Sequence, residues 1–141
     1  MVDKRTDETA ERLHGVAIRM LRTLRREDRE SGITGPRLSA LSVLVFGGPT
    51  SLAGLAAAEQ VSAPTMTRVV DGLVKAGLAT REPEPGNRRR VRIAATEEGR
   101  RLLEEGRRRR VRVLSERLAS LAESERRALE RAVELLERAV R

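Results

Sequence analysis

The chain has 141 residues and a formal net charge of +8, and all but two of its 29 basic residues are arginine. This length suits one domain, and 39% hydrophobic with 35% charged residues favours a charged helical protein over a disordered chain. The chain has no cysteine, which excludes thiol chemistry, and no apolar run near 18 residues. These two observations predict a cytoplasmic protein. The guanidinium groups of its many arginines are suited to bind phosphate.

The first part of the chain predicts two amphipathic helices. The first ends near Ser31 and Gly32, and Pro36 opens a second that ends at Gly47-Gly48-Pro49. Apolar residues recur at spacings of three and four in both segments, as one buried face of a helix requires. These residues are Leu13, Val16, Ala17, Met20, Leu21 and Leu24 in the first helix, and Leu38, Leu41, Leu44 and Val45 in the second.

Two short helical patterns follow, and their order predicts a helix-turn-helix. Ser51 is suited to cap the first helix and Ser62 the second, with Pro64 in the first turn of the latter. The first helix has Leu52, Leu55 and Ala56 on one face. The second helix directs Met66, Val69, Val70 and Leu73 inward and leaves Thr65, Thr67 and Arg68 facing out. The two helices are connected by a turn of about four residues, and the second begins with small polar groups. Both features favour entry of the second helix into the DNA major groove.

A basic hairpin is predicted directly after this pair of helices. Gly77 ends the second helix, and residues 78–81 and 90–93 are short, partly alternating runs. Residues 82–89 separate them and contain Pro, Gly and Asn, which form turns. We therefore expect a β-hairpin wing whose loop carries the arginines and can reach a neighbouring minor groove.

The last part of the chain predicts two further helices. Thr96 can cap a long helix, a break is expected at residues 122–124, and a last helix follows. Their apolar stripes have too little cover within one chain, so we expect a partner subunit to bury them.

Residues 61–78, VSAPTMTRVVDGLVKAGL, resemble the recognition-helix region of the MarR (multiple-antibiotic-resistance regulator) family, and the wing and Thr96-Glu97-Glu98-Gly99 continue the resemblance. The resemblance implies a mainly α single domain, residues 1–141, in which a winged helix-turn-helix (34–99) is flanked by helical dimerisation regions (1–32 and 100–141). It also implies a homodimer on a pseudo-palindromic operator and release by a small-molecule effector. The implied spacing of the two recognition helices is about 34–36 Å.

The wing departs from the family in one respect. Family members usually carry Asp-x-Arg there, with the arginine in the minor groove and the aspartate orienting it, and the matching residues are Asn87, Arg88 and Arg89. Arg89 thus inherits the minor-groove role. Asn87 lacks the charge of the aspartate, although its amide oxygen can still accept a hydrogen bond.

These observations predict a sequence-specific transcriptional regulator, with repression as the expected mode, that has no enzymatic activity, no cofactor and no metal. One histidine and no cysteine provide too few ligands for a tight zinc site. The partners expected are double-stranded DNA, a second copy of the chain and a small-molecule effector, without a membrane. The predicted DNA-binding residues are Ser62, Ala63, Pro64, Thr65, Thr67, Arg68, Asn87, Arg88, Arg89 and Arg90.

Three alternatives remain open from the sequence. A nucleoid-type architectural protein would share the charge and the wing but bind with little preference among sequences. An enzyme has little support, because the chain has no Gly-rich phosphate loop and no cluster of metal ligands. A helical adaptor built on the terminal helices would leave Arg68 and Arg89 without consequence for function.

Overall fold

The computed structural model describes all of residues 1–141, and it is mainly helical with one two-stranded antiparallel sheet. This architecture confirms the mainly α winged helix-turn-helix that the sequence predicts. A short 3₁₀ helix, Arg29–Ser31, follows the first α-helix. In chain order the other elements are α1 (Lys4–Asp28), α2 (Gly35–Gly47), α3 (Leu52–Glu59), α4 (Ala63–Lys75), β1 (Ala79–Glu84), β2 (Asn87–Ala95), α5 (Glu97–Leu118) and α6 (Glu123–Ala139).

The chain divides into two compact units, residues 1–107 and 108–141. The first unit holds the hydrophobic core, to which α2, α3, α4 and both strands contribute. Its largest fully buried side chains are Leu41, Leu44, Leu55, Met66, Val70, Leu73 and Ile93. The apolar stripes that the sequence predicts for α2, α3 and α4 therefore supply most of this core, whereas a single domain over 1–141 stays a prediction.

Side-chain caps explain where α3 and α5 begin. The Ser51 hydroxyl accepts a hydrogen bond from the N–H of Gly54 at 3.0 Å at the start of α3. At the start of α5 the Thr96 hydroxyl accepts from the N–H of Gly99 at 3.1 Å and donates to the carbonyl of Gly77 at 2.7 Å. Thr96 thereby caps one helix and ties it to the end of α4, so the predicted start of α5 is confirmed.

Gly99 permits a close approach between α5 and the segment that leads into the wing. A β-carbon at this position would collide with the carbonyl oxygen of Leu78 and would lie 3.0 Å from Leu41 Cδ1. The neighbouring N–H of Thr96 donates to the same Leu78 carbonyl at 3.0 Å. Any larger residue at position 99 would push the α5 backbone away from the core.

Helices α1 and α6 have no buried residue, although each carries an apolar stripe. On α1 the exposed side chains include Leu13, Val16, Met20 and Leu21. On α6 they include Leu129, Val133 and Leu136. The helix begins at Glu123, and the break between α5 and α6 starts after Leu118, a few residues before the expected residues 122–124. No helix of the chain combines the length and the apolar character needed to span a membrane.

Candidate nucleic-acid interface

The start of α4 is organised by the hydroxyl of Ser62. It accepts a hydrogen bond from the N–H of Thr65 at 3.3 Å and donates one to Thr65 Oγ1 at 2.9 Å. Ala63 and Pro64 occupy the first turn. Backbone N–H groups in this turn have no acceptor within the helix, so the N–H that proline lacks is not missed here. All four residues are exposed, so a small polar surface opens the helix, as the sequence predicts.

The two remaining predicted residues of α4 differ from each other. The Arg68 side chain is exposed and makes no hydrogen bond or ion pair, so its guanidinium remains available to a ligand. Thr67 is half-buried, and its hydroxyl donates to the carbonyl of Ala63 at 3.0 Å. Thr67 is thus less exposed than the periodicity predicts, and its hydroxyl bonds back to the carbonyl four residues earlier, as a threonine within a helix can.

The turn between α3 and α4 consists of residues 60–62 and is one residue shorter than the sequence predicts. Gln60 adopts a left-handed conformation with φ of 56°, and the N–H of Val61 donates to the carbonyl of Ala56 at 3.0 Å. This closure satisfies the end of α3 and leads directly to the Ser62 cap. The two helices thus form a compact helix-turn-helix.

The wing corrects the predicted position of the arginines. The strands extend further than expected, so the turn contains only Pro85 and Gly86, with Gly86 at φ of 83°. The cross-strand register pairs Pro83 with Val91 and then Glu84 with Asn87. The three β2 residues between these pairs have no partner on β1, and they are Arg88, Arg89 and Arg90. They form an exposed bulge on the strand rather than a loop, and none makes an ion pair.

Asn87 supports the backbone of this bulge. Its Oδ1 accepts a hydrogen bond from the N–H of Arg89 at 3.2 Å. The amide oxygen of Asn87 thus accepts a hydrogen bond, as the sequence predicts. The donor is the backbone of Arg89 and not its guanidinium. The Arg89 side chain is therefore left without a charged partner.

Two ion pairs that sequence reasoning missed hold the base of the wing. Arg81 on β1 pairs with Asp71 on α4, and Arg92 Nη2 lies 3.2 Å from Glu82 Oε2 across the sheet. A backbone bridge adds to them, since the N–H of Thr50 donates to the carbonyl of Ile93 at 3.0 Å and the Ile93 N–H donates back at 2.7 Å. The i,i+10 spacing of both ion pairs carries no signal in a single sequence. Both carboxylates are thus engaged by arginines other than those of the bulge.

The structure accordingly places the predicted residues in two groups, one at the start of α4 and one on the bulge of β2. Comparison with known proteins identifies this arrangement. Residues 31–90 match the MarR family. The HTH-type transcriptional regulator Mb0904 of Mycobacterium bovis is 37% identical over 119 residues, which are 84% of this chain and 83% of that protein. The chain belongs to the MarR family.

Solved structures agree with this membership of the MarR family. A MarR family protein from Bacillus stearothermophilus is 27% identical, covers 99% of both chains and superposes with a TM-score of 0.79. A MepR variant of S. aureus, bound to an oligodeoxyribonucleotide, shares the fold at 17% identity and a TM-score of 0.75, over 94% of this chain and 98% of its own. The chain is thus a DNA-binding transcriptional regulator of the MarR family, a family of regulators rather than enzymes.

Proposed function

We propose that this MarR-family regulator is a sequence-specific repressor that binds a pseudo-palindromic operator as a homodimer in the cytoplasm. In this proposal residues 62–68 read the major groove, and the bulge of residues 88–90 grips the minor groove or its phosphates. The family resemblance extends the proposal to release by a small-molecule effector. An architectural protein without sequence preference becomes an outcome of the test.

The observation that carries the proposal is the set of unpaired cations on these two elements. Arg68, Arg88, Arg89 and Arg90 are exposed and have no carboxylate partner. Asp71 of α4 and Glu82 of β1 are already paired with Arg81 and Arg92, whereas Glu84, in register with Asn87 beside the bulge, makes no ion pair. On α4 and the wing, four free guanidinium groups therefore stand against one unpaired carboxylate, and this excess of positive charge favours a polyanion.

Sequence specificity requires base contacts in addition to phosphate contacts. Ser62 and Thr65 present small hydroxyl groups at the start of α4, which leaves the backbone free to approach base edges, and Arg68 follows one turn later. Thr67 has a lesser role in this proposal, because its hydroxyl already donates to Ala63. Reading by Thr65 and Arg68 distinguishes the proposed regulator from a protein that binds phosphates alone.

The exposed apolar stripes support the homodimer. In the single chain Leu21 remains 51% exposed and Val133 45% exposed, and each lies on an amphipathic helix that buries nothing. Exposed stripes of this kind are typical of surfaces that a partner subunit covers. A two-fold dimer would present two recognition helices to two half-sites.

Fluorescence anisotropy tests the proposal, with DNA from upstream of the protein's own gene and scrambled DNA of equal length at two salt concentrations. A preference of about a thousandfold or more that persists at physiological salt supports a sequence-specific regulator. If both DNAs bind equally, selection of binding sites across the genome follows. Failure to recover any preferred site would contradict specificity and favour the architectural protein.

Substitutions in α4 test the assignment of base contacts. Thr65→Ala or Arg68→Ala is expected to reduce the discrimination between operator and scrambled DNA by about 1–3 kcal/mol if the replaced side chain contacts a base. Neither substitution removes the Ser62 cap of the α4 backbone, so the fold is retained. Discrimination equal to that of the parent protein would refute the assignment.

A further inference from the structure

Arg37, in the first turn of α2, has an unusual position against the recognition helix α4. Its side chain is half-buried, yet it makes no hydrogen bond or ion pair. A β-carbon at Gly72 of α4 would collide with the Nε, Cζ and Nη2 atoms of Arg37. The guanidinium thus lies directly over the α4 backbone, in space that only a glycine at position 72 leaves open.

The helical repeat shows on which flank of α4 the Arg37 guanidinium lies. Gly72 follows Arg68 by four residues and Thr65 by seven, so all three lie on one flank, within about two turns or 10 Å. The buried stripe of Met66, Val70 and Leu73 faces the core instead. Arg37 therefore adds a guanidinium from another helix to the flank on which Thr65 and Arg68 lie.

No nearby acid neutralises this guanidinium. The first turn of α2 contains no acidic residue, and Asp71, adjacent to Gly72, is paired with Arg81 of β1. A cation at a helix N-terminus is also unfavourable with respect to the helix dipole, so its placement brings α2 no electrostatic benefit. An unpaired guanidinium fixed beside a DNA-reading helix is suited to bind an anionic group on the DNA.

We propose that Arg37 is a further DNA-binding residue, whose guanidinium engages a backbone phosphate beside the major groove occupied by α4. Gly72 acts as a positioning residue, because its missing side chain lets Arg37 lie against α4. The inference rests on the proposed function and extends the interface to α2. A phosphate contact fixes the position of α4 and carries no base preference of its own.

The first test is Arg37→Met, which retains an unbranched stem but removes the charge. We expect about a tenfold or greater decrease in affinity, equal for operator and scrambled DNA, since the contact is to phosphate. The slope of log K against log salt should become shallower by about 1.8 for a dimer, or about 0.9 for each phosphate that is no longer neutralised. Arg101→Met is the matched control, because Arg101 is engaged by Glu98 and Glu105 and the change in net charge is the same.

The second test is Gly72→Ala, which displaces the guanidinium without removing its charge. The displaced atoms are the end of a flexible side chain, and alanine favours a helix over glycine, so we expect the fold to persist in thermal unfolding. Gly72→Ala should weaken DNA binding in the parent protein but have no additional effect in the Arg37→Met variant. Equal weakening in both backgrounds would overturn the positioning role of Gly72.

The outcomes distinguish this inference from the proposed function. If the parent protein prefers its operator and Arg89→Ala makes the salt slope shallower, whereas folded Arg37→Met binds like the Arg101→Met control, only the Arg37 inference fails. If the folded parent protein binds no DNA, both fail. A slope change for Arg37→Met with discrimination retained supports both.

Discussion

Replacement of Arg89 by alanine is the most direct test of the wing. Arg89 is exposed and without an ion pair, and the N–H that it donates to Asn87 belongs to the backbone, so alanine preserves this hydrogen bond. The substitution should therefore leave the stability of the chain unchanged and affect only DNA binding.

The magnitude follows from the two wings of the proposed dimer. Removal of one phosphate-binding guanidinium from each subunit makes the salt slope shallower by about 1.8, since each neutralised phosphate contributes about 0.9. If the side chain also enters the minor groove and touches a base there, its removal lowers operator affinity by a further amount of about 1–3 kcal/mol per base.

Fluorescence anisotropy on operator DNA between roughly 50 and 200 mM salt measures both quantities. Arg101→Ala is the control, because it removes the same charge from α5, where Arg101 is engaged by Glu98 and Glu105. A slope and affinity for Arg89→Ala that match this control, in a folded protein, would refute the role of the wing in binding.

Three further predictions concern folding and assembly. Ser62→Ala removes the α4 cap and should lower the free energy of unfolding by about 1 kcal/mol in a urea titration; an unchanged midpoint would contradict the role of the cap. Gly99→Ala should destabilise the chain by about 1–3 kcal/mol through the collision with Leu78, whereas Gly35→Ala, whose β-carbon meets nothing within 4 Å, serves as the control. Similar thermal unfolding of these two variants would refute the close approach. Deletion from Glu125 onward should yield an unstable or unfolded chain, because the apolar stripe of α6 and that of its partner lose their cover; a well-folded monomer in analytical ultracentrifugation would contradict the dimer.

The positions of the helices in the DNA-binding region were predictable because their signals are local. Ser51, Ser62 and Thr96 each bond an N–H three residues later, and such caps depend on adjacent sequence alone. Gly77 has a φ of 73°, the left-handed conformation that ends a helix and that glycine adopts at little cost. The core stripes of α2, α3 and α4 were likewise visible in the helical periodicity.

The wing was predicted less accurately, because strand pairing involves residues that are distant in sequence. Turn-forming residues placed Arg88 and Arg89 in a loop and Arg90 at the start of a strand, but the register pairs Glu84 with Asn87 and leaves all three arginines as a bulge. The pairing of Arg81 with Asp71 likewise depends on how α4 packs against the sheet. Periodicity also could not show the hydrogen bond of the Thr67 hydroxyl, because it reports only the side of a helix on which a residue lies.

The sequence by itself determined the order and ends of the helices, the inward stripes and the arginine content of the wing, because caps, periodicity and charge act between near neighbours. Only the tertiary structure decided the bulge that presents Arg88–Arg90 and the approach of Arg37 to Gly72. It also decided which carboxylates are neutralised by other arginines. These features arise where separate elements pack together, and the distances between such elements are set by the complete core.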